Sequence, residues 1–276
     1  MPIQDIKRVQ YEALQALNYS GMKELLKSPA HYQLYLNSVR KETAALRIGK
    51  LTHACVLQNE LFQKYKPSPD CDRRTKDGKA VYDYFYSQLK EDEEICNPDE
   101  YETALKLADT INALIKQYKV SKPVATEMTV VGIENEHCTI KSSIDYVADE
   151  KDGRVWLYDL KTTEDASEKG FLRTAYQYNY HLQAATYLRT FEKYTKVRPM
   201  GFRFIVVEKD TYQGAIYELG AEIMTDALFK LEHCIKTYTE CTKSGIWDGY
   251  TSTATEPEVK MLDWTPKANN TAITFA

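Results

Sequence analysis

The chain has 276 residues, 43% of them apolar or aromatic and 28% charged, with a formal net charge of −4. No Pro/Gly/Ser linker, repeat or low-complexity tract divides it, so a single domain spanning 1–276 is expected, with enough chain to bury a substantial core. No apolar run reaches bilayer length, MPIQDIKRVQ lacks a signal peptide's apolar centre, and six scattered cysteines form no C-x-x-C pair, so a cytoplasmic protein with reduced thiols and neither a zinc ribbon nor an iron–sulfur cluster is expected.

Residues 1–120 read as mostly helical wrapping. A short lead precedes a helix capped by Ser20 and stopped at Ser28-Pro29, and a second helix covers 31–39. The stretch 44–61 is helical, with Leu46, Ile48, Leu51, Val56 and Leu57 on its apolar side and Gly49 permitting close approach of another backbone. His53 lies within it; a lone histidine in an apolar helix is more often a packed residue than a ligand, and spacing leaves both readings open. Residues 67–79 form a polar loop whose Arg73, Arg74, Lys76 and Lys79 make it the best candidate for phosphate contact, the alternative being a solvated loop. Helices follow over 81–89 and 99–118, the second with Ala104, Leu107, Ala108, Ile111 and Leu114 at helical spacing.

From residue 121 to 220 the pattern is that of a sheet. Residues 127–133 alternate as a strand, 134–137 turn, and two β-rich runs, 139–148 and 154–162, flank an Asp-Gly-containing turn at 149–153. These three strands make an antiparallel meander. Glu127, at the start of the first, reads either as a further acidic group near the site or as an edge-strand charge, the latter being favoured. With the turn centred on Asp152, Asp145 and Asp159 stand seven residues to either side and so oppose one another. Lys161 shares the Asp159 face, while Trp156, Tyr158 and Leu160 point the other way. A D-x-K triplet occurs often by chance. Here a second carboxylate lies in register within a strand apolar enough to be central, and opposed like charges are destabilising unless a cation sits between them. That patch calls for a divalent metal.

Residues 167–194 form one helix or two broken near Asn179, with Tyr176, Tyr180, Gln183 and Tyr187 recurring along one face. Packed back on the sheet, this helix would bring Gln183 and Tyr187 beside the metal patch. Strands are expected over 200–207 and 212–219 and a helix over 225–243 ending near Gly245. A loop-rich tail anchored by Trp247 and Trp264 completes 221–276. The class is α/β or α+β: a mixed central sheet with an antiparallel meander, flanked by helices.

Gly49-x-x-x-His53, Ser143-Ile144-Asp145, Asp159-Leu160-Lys161-Thr162 and Gln183-x-x-x-Tyr187, in that order, resemble the RecB-like branch of the PD-(D/E)XK nucleases. The pattern is closest to the RecE-type exonucleases (exonuclease VIII) of phages and prophages. It extends over Lys27 to Tyr32, Arg73-x-x-x-Asp77-Gly78-Lys79, Tyr180 to Ala185, Val207-Glu208-Lys209 and Gly245 to Tyr250. It departs from that pattern at Gln58, where relatives often carry Glu, and at Ser143, where a basic residue is frequent.

The resemblance implies a restriction-endonuclease-like core, with His53, Asp145 and Asp159 as metal ligands, Lys161 as the catalytic lysine, and Gln183 with Tyr187 supporting the site. It implies Mg²⁺, replaceable by Mn²⁺, in a site of two ions of the kind that stabilises phosphodiester hydrolysis. It further implies 5′→3′ digestion of linear double-stranded DNA to leave 3′ single-stranded tails for a RecT-type annealing partner, by a ring-like homo-oligomer, trimer or tetramer, in the bacterial cytoplasm. The alternatives are a Cas4-like or endonucleolytic enzyme of the same branch, and a metal-free binding relative.

Overall fold

The computed structural model describes residues 11, 13–39, 41–149 and 153–251. The turn around Asp152 and the expected anchor Trp264 lie outside them.

Two short helices, α1 (Tyr19–Leu25) and α2 (Pro29–Asn37), lie near the start of the described residues. Asn18, not Ser20, caps α1, its side chain accepting from Gly21 N–H at 2.7 Å. Both residue types suit a helix start; the one placed to reach the orphan amides does the capping. Ser28 caps α2, with Pro29 in the first turn, where its missing N–H costs nothing. Next, α3 (Ala44–Leu57) ends earlier than its apolar pattern suggests, because Gln58 leaves helical geometry and a separate turn, α4 (Asn59–Phe62), follows.

A two-stranded parallel sheet, β1 (Tyr65–Pro67) with β2 (Glu94–Cys96), brackets α5 (Lys76–Ser87). The polar loop therefore ends at Thr75, which caps α5, so Lys76 and Lys79 are helical and not loop residues. The long α6 (Pro98–Gln117) carries the predicted apolar stripe, wholly buried.

The main sheet has the order β3 (Pro123–Asn135), β4 (Cys138–Asp149), β5 (Val155–Thr163), β6 (Gly201–Glu208), β7 (Gly214–Glu218). All neighbours are antiparallel except β5 and β6, which are parallel. A parallel pair needs a crossover; here it is α7 (Glu168–Gln177) and α8 (Tyr180–Thr195). They are separate helices, broken at Asn179, which is left-handed (φ 57°). Tyr176 consequently belongs to α7 and does not share a helix face with Gln183 and Tyr187. The last described helix is α9 (Ala221–Ser244), whose end is set by Gly245 at φ 75°, a conformation glycine takes without strain.

The sheet lies between two apolar layers. On one face Met128, Ile144, Leu157, Phe204 and Val206 pack against Phe171 of α7 and Ala184 and Phe191 of α8. On the other, Tyr146, Tyr158, Leu160, Ile205 and Val207 pack against Leu107, Ile111 and Leu114 of α6 and Leu57 of α3. A third cluster joins α1, α2, α8 and α9 through Met22, Tyr32, Leu182 and Leu231, with Trp247 stacked on Tyr32 at 5.4 Å as the expected anchor. All six cysteines are free. Among the described residues no helix is long and apolar enough to cross a membrane.

Candidate active site

The hairpin register is the one the turn dictates: Tyr146 opposes Tyr158, Val147 opposes Leu157 and Ala148 opposes Trp156. The ladder stops at Tyr146, one step short of Asp145 and Asp159. Instead of pairing through its backbone, β4 reaches across with a side chain, and Asp145 Oδ2 accepts from the Leu160 N–H at 2.8 Å.

A second irregularity sits on the other flank of Asp145. The β3–β4 register passes from Thr126 opposite Tyr146 to Met128 opposite Ile144, with Glu127 and Asp145 left between. Glu127 has φ 49°. Here the side-chain alternation changes phase in both strands: Met128 and Ile144 face α7 and α8, whereas Tyr146 packs on the α6 side and Thr126 donates to the Leu57 carbonyl of α3. Strict alternation would send Asp145 fully to one face; the paired kink leaves it at the level of the backbone, between Glu127 and β5. Of the two readings of Glu127, the favoured edge charge gives way to the acidic group near the site, since its carboxylate joins the cluster.

His53 arrives from α3. Its Nε2 lies 3.0 Å from the Leu160 carbonyl, and its Nδ1 is 3.5 Å from Asp145 Oδ2 and 3.7 Å from Glu127 Oε1. Burial pulls the imidazole toward neutrality, but the carboxylates of Asp145 and Glu127 outweigh it and raise its pKa to about 9. Asp145 is pushed up to about 7, first by burial and then by Asp159. Gly49, one turn earlier, faces Thr162, yet a Cβ there would meet Thr162 Oγ1 at an ordinary 3.8 Å, so space alone does not demand glycine.

Asp159 is 2% exposed and points to the α8 face. Gln183 Nε2 donates to its Oδ1 at 2.5 Å and Lys161 forms an ion pair with its Oδ2. That Oδ2 is buried and, the ion pair aside, has no hydrogen-bond partner. Lys161 also stands over the Tyr180 ring, 4.5 Å from its centroid. Burial opposes its charge; Asp159 more than offsets this, so its pKa rises and it is held as an ammonium. Tyr187, hydrogen-bonded with Gln183, has its pKa raised well above the ordinary value by burial, Asp159 and Asp145, and so remains a neutral phenol.

His53, Glu127 and Asp145 each offer one ligand atom within 4.8 Å of the others. A carboxylate pair with one imidazole suits a divalent ion that takes oxygen and nitrogen. Asp159, whose buried Oδ2 is held by the Lys161 ion pair, repels Asp145, and a cation would relieve that repulsion. The residues therefore fit the metal that the sequence calls for, with Glu127 in the tight group and Asp159 beside it, tied to Lys161 and Gln183.

The basic residues expected at phosphate lie in α5 and just before it. Arg74 is tied to Asp72 through two guanidinium hydrogen bonds, Arg73 lies over the Tyr82 ring at 3.9 Å, and Lys76 and Lys79 are exposed on α5. Gln58 is an exposed helix terminus, and Ser143 donates to Glu127 Oε2 at 3.3 Å.

The PDDEXK-like domain of unknown function (DUF3799) matches residues 18–255. No curated protein matches the sequence. The fold is similar to that of a "Putative exonuclease" from Eubacterium rectale, with a TM-score of 0.62 at 15% identity over 94% of this chain and 97% of that one. A phage related exonuclease from Haemophilus somnus 129PT aligns over 71% of this chain and 95% of its own, at 12% identity and a TM-score of 0.28.

Proposed function

The chain belongs to the PDDEXK-like DUF3799 family, and on that footing we propose that it is a metal-dependent nuclease: an exodeoxyribonuclease that digests linear double-stranded DNA from the 5′ end and leaves 3′ single strands. The observation that carries this reading is the meeting, at one level of the sheet, of Asp145, Asp159 and Lys161 with His53 and Glu127. A divalent ion, Mg²⁺ or Mn²⁺, held by His53, Glu127 and Asp145, with Asp159 alongside, would activate water and offset charge developing on the phosphate.

The chain's own groups have defined parts. Lys161, kept protonated, offsets phosphate charge as a cation and positions the nucleophile, rather than acting as a base. Gln183 fixes the rotation of the Asp159 carboxylate and is itself engaged by Tyr187. His53 is oriented by the Leu160 carbonyl, so the strand that carries Asp159 and Lys161 also aims the imidazole. A RecE-type role, with 3′ tails passed to a RecT-type annealing partner by a ring-like trimer or tetramer in the bacterial cytoplasm, completes the proposal.

The test is digestion of a linear duplex labelled in turn at each 5′ and 3′ end, with Mg²⁺, with EDTA and with Asp159→Ala. Mg²⁺-dependent release of the 5′ label as mononucleotide, absent in the variant, is expected. Metal-replete protein that binds DNA but leaves all labels intact on linear and circular substrates would be a binding relative, not an enzyme.

A further inference from the structure

Between α7 and α8 the chain builds a feature whose outer part, Tyr178, the catalytic arrangement does not use. Residues two apart in one continuous helix point to nearly opposite sides. Tyr178 and Tyr180 instead stack, with ring centroids 5.8 Å apart and planes at 27°. The left-handed Asn179 between them makes this possible, a conformation asparagine adopts at modest cost. Tyr180 is the inner ring, set against Phe171 at 6.2 Å and Phe204 at 5.9 Å, with the Lys161 ammonium above it. Tyr178 is the outer ring and is 46% exposed. Its carbonyl is held by the Tyr19 hydroxyl, and Lys23 lies over the Tyr19 ring at 5.0 Å. A fixed aromatic step thus leads from the candidate catalytic lysine to solvent, with a cation near each end.

Resting on the nuclease reading above, we propose that Tyr178 stacks on an unpaired base of the strand held at the catalytic patch, so that the substrate engaged there is a strand end separated from its complement. A base inside a duplex already has both faces covered and offers none to the ring; an unpaired base does, and such stacking is independent of base identity. The two lysines would take the adjoining phosphates.

The full chain is mixed, in EDTA and in Ca²⁺, with a short single strand carrying 2-aminopurine at its terminal base and with a blunt duplex of the same sequence. Wild type should bind the single strand and quench its fluorescence. Tyr178→Ala should weaken single-strand binding by about 5- to 150-fold and lose the quench, with duplex affinity unchanged. Tyr178→Phe, which keeps the ring, should restore both and also reports on folding. Absence of quenching by wild type, or a Tyr178→Ala protein that binds and quenches as wild type does or loses both DNA forms equally, would overturn the proposal. Cleavage in Mg²⁺ is scored separately. Quenching without cleavage of any substrate sinks the nuclease reading alone, whereas cleavage with no dependence of binding on Tyr178 sinks the stacking step alone.

Discussion

With φ at 49°, Glu127 holds a backbone conformation that a residue with a Cβ rarely adopts, and it does so where its carboxylate meets His53 and Asp145. Strain of this kind costs on the order of 1–3 kcal/mol and persists where the surroundings impose it. Glu127→Gln should therefore leave the apo fold intact while weakening Mn²⁺ binding by roughly tenfold, read by calorimetric titration. An unchanged affinity would return Glu127 to the edge-charge role. Gln183 offers a different check. Its amide is the hydrogen-bond donor to Asp159 Oδ1, so Gln183→Ala removes a charge-assisted bond from a buried carboxylate and should cost about 1.5–3 kcal/mol in urea unfolding. Asp159 and Lys161 were legible as residues because a strand's two-residue period fixes their shared face. For Glu127 the sequence leaves two readings open, since its place depends on a kink that no periodic pattern encodes.

Among the elements, α8 does most to complete the site, since it supplies Gln183, Tyr187 and the Tyr180 ring. It also buries His181, which has no exposed surface; the Lys230 ammonium donates to its Nε2 and Asp226 lies 3.2 Å away. Burial, and next Lys230, lower the His181 pKa below its ordinary 6.5, with Asp226 opposing. Protonation is then easier in the unfolded chain, so the stability His181 contributes is complete above about pH 6.5 and is lost as pH falls below it. Urea unfolding at pH 7.5 and 5.5 should show a larger drop for wild type than for His181→Gln; equal drops would mean the imidazole is not held neutral. At the other end of the chain, Asn18→Ala should cost about 1 kcal/mol through loss of the α1 cap, whereas Ser20→Ala should cost little. Helix spans were readable to within a few residues. The caps were not, because Ser20 and Asn18 have equal chemical claims and only the folded backbone decides which oxygen reaches Gly21.

At the scale of the whole molecule, helices from distant parts of the sequence converge on one edge of the sheet kink: α3 from one side with His53, α8 from the other with Gln183 and Tyr187. The result is a concentration of carboxylates that the apo fold tolerates through Lys161, Gln183 and the Leu160 amide. A cation that binds only this folded arrangement must stabilise it. At a metal concentration one hundred times Kd the gain should be about 2.7 kcal/mol. Thermal unfolding with Mg²⁺ or Mn²⁺ against EDTA should show it as a raised Tm, absent in Asp145→Asn. A shift that survives in that variant would place the ion elsewhere.

What the sequence determined by itself is whatever short-range periodicity controls: the α/β class, the meander, the hairpin register, and the apolar stripe of α6. It also put Asp159 and Lys161 on one face, because strand alternation and turn length leave little freedom over ten residues. Tertiary structure alone decided that the ladder breaks beside Asp145, that Glu127 turns inward, and which carboxylate oxygen each of Gln183, Lys161 and Leu160 engages. It also stacked Tyr178 on Tyr180 through one left-handed asparagine. Each of these depends on close packing between segments far apart in the chain, where the arrangement is set by which groups must be buried together and which polar atoms must then find partners.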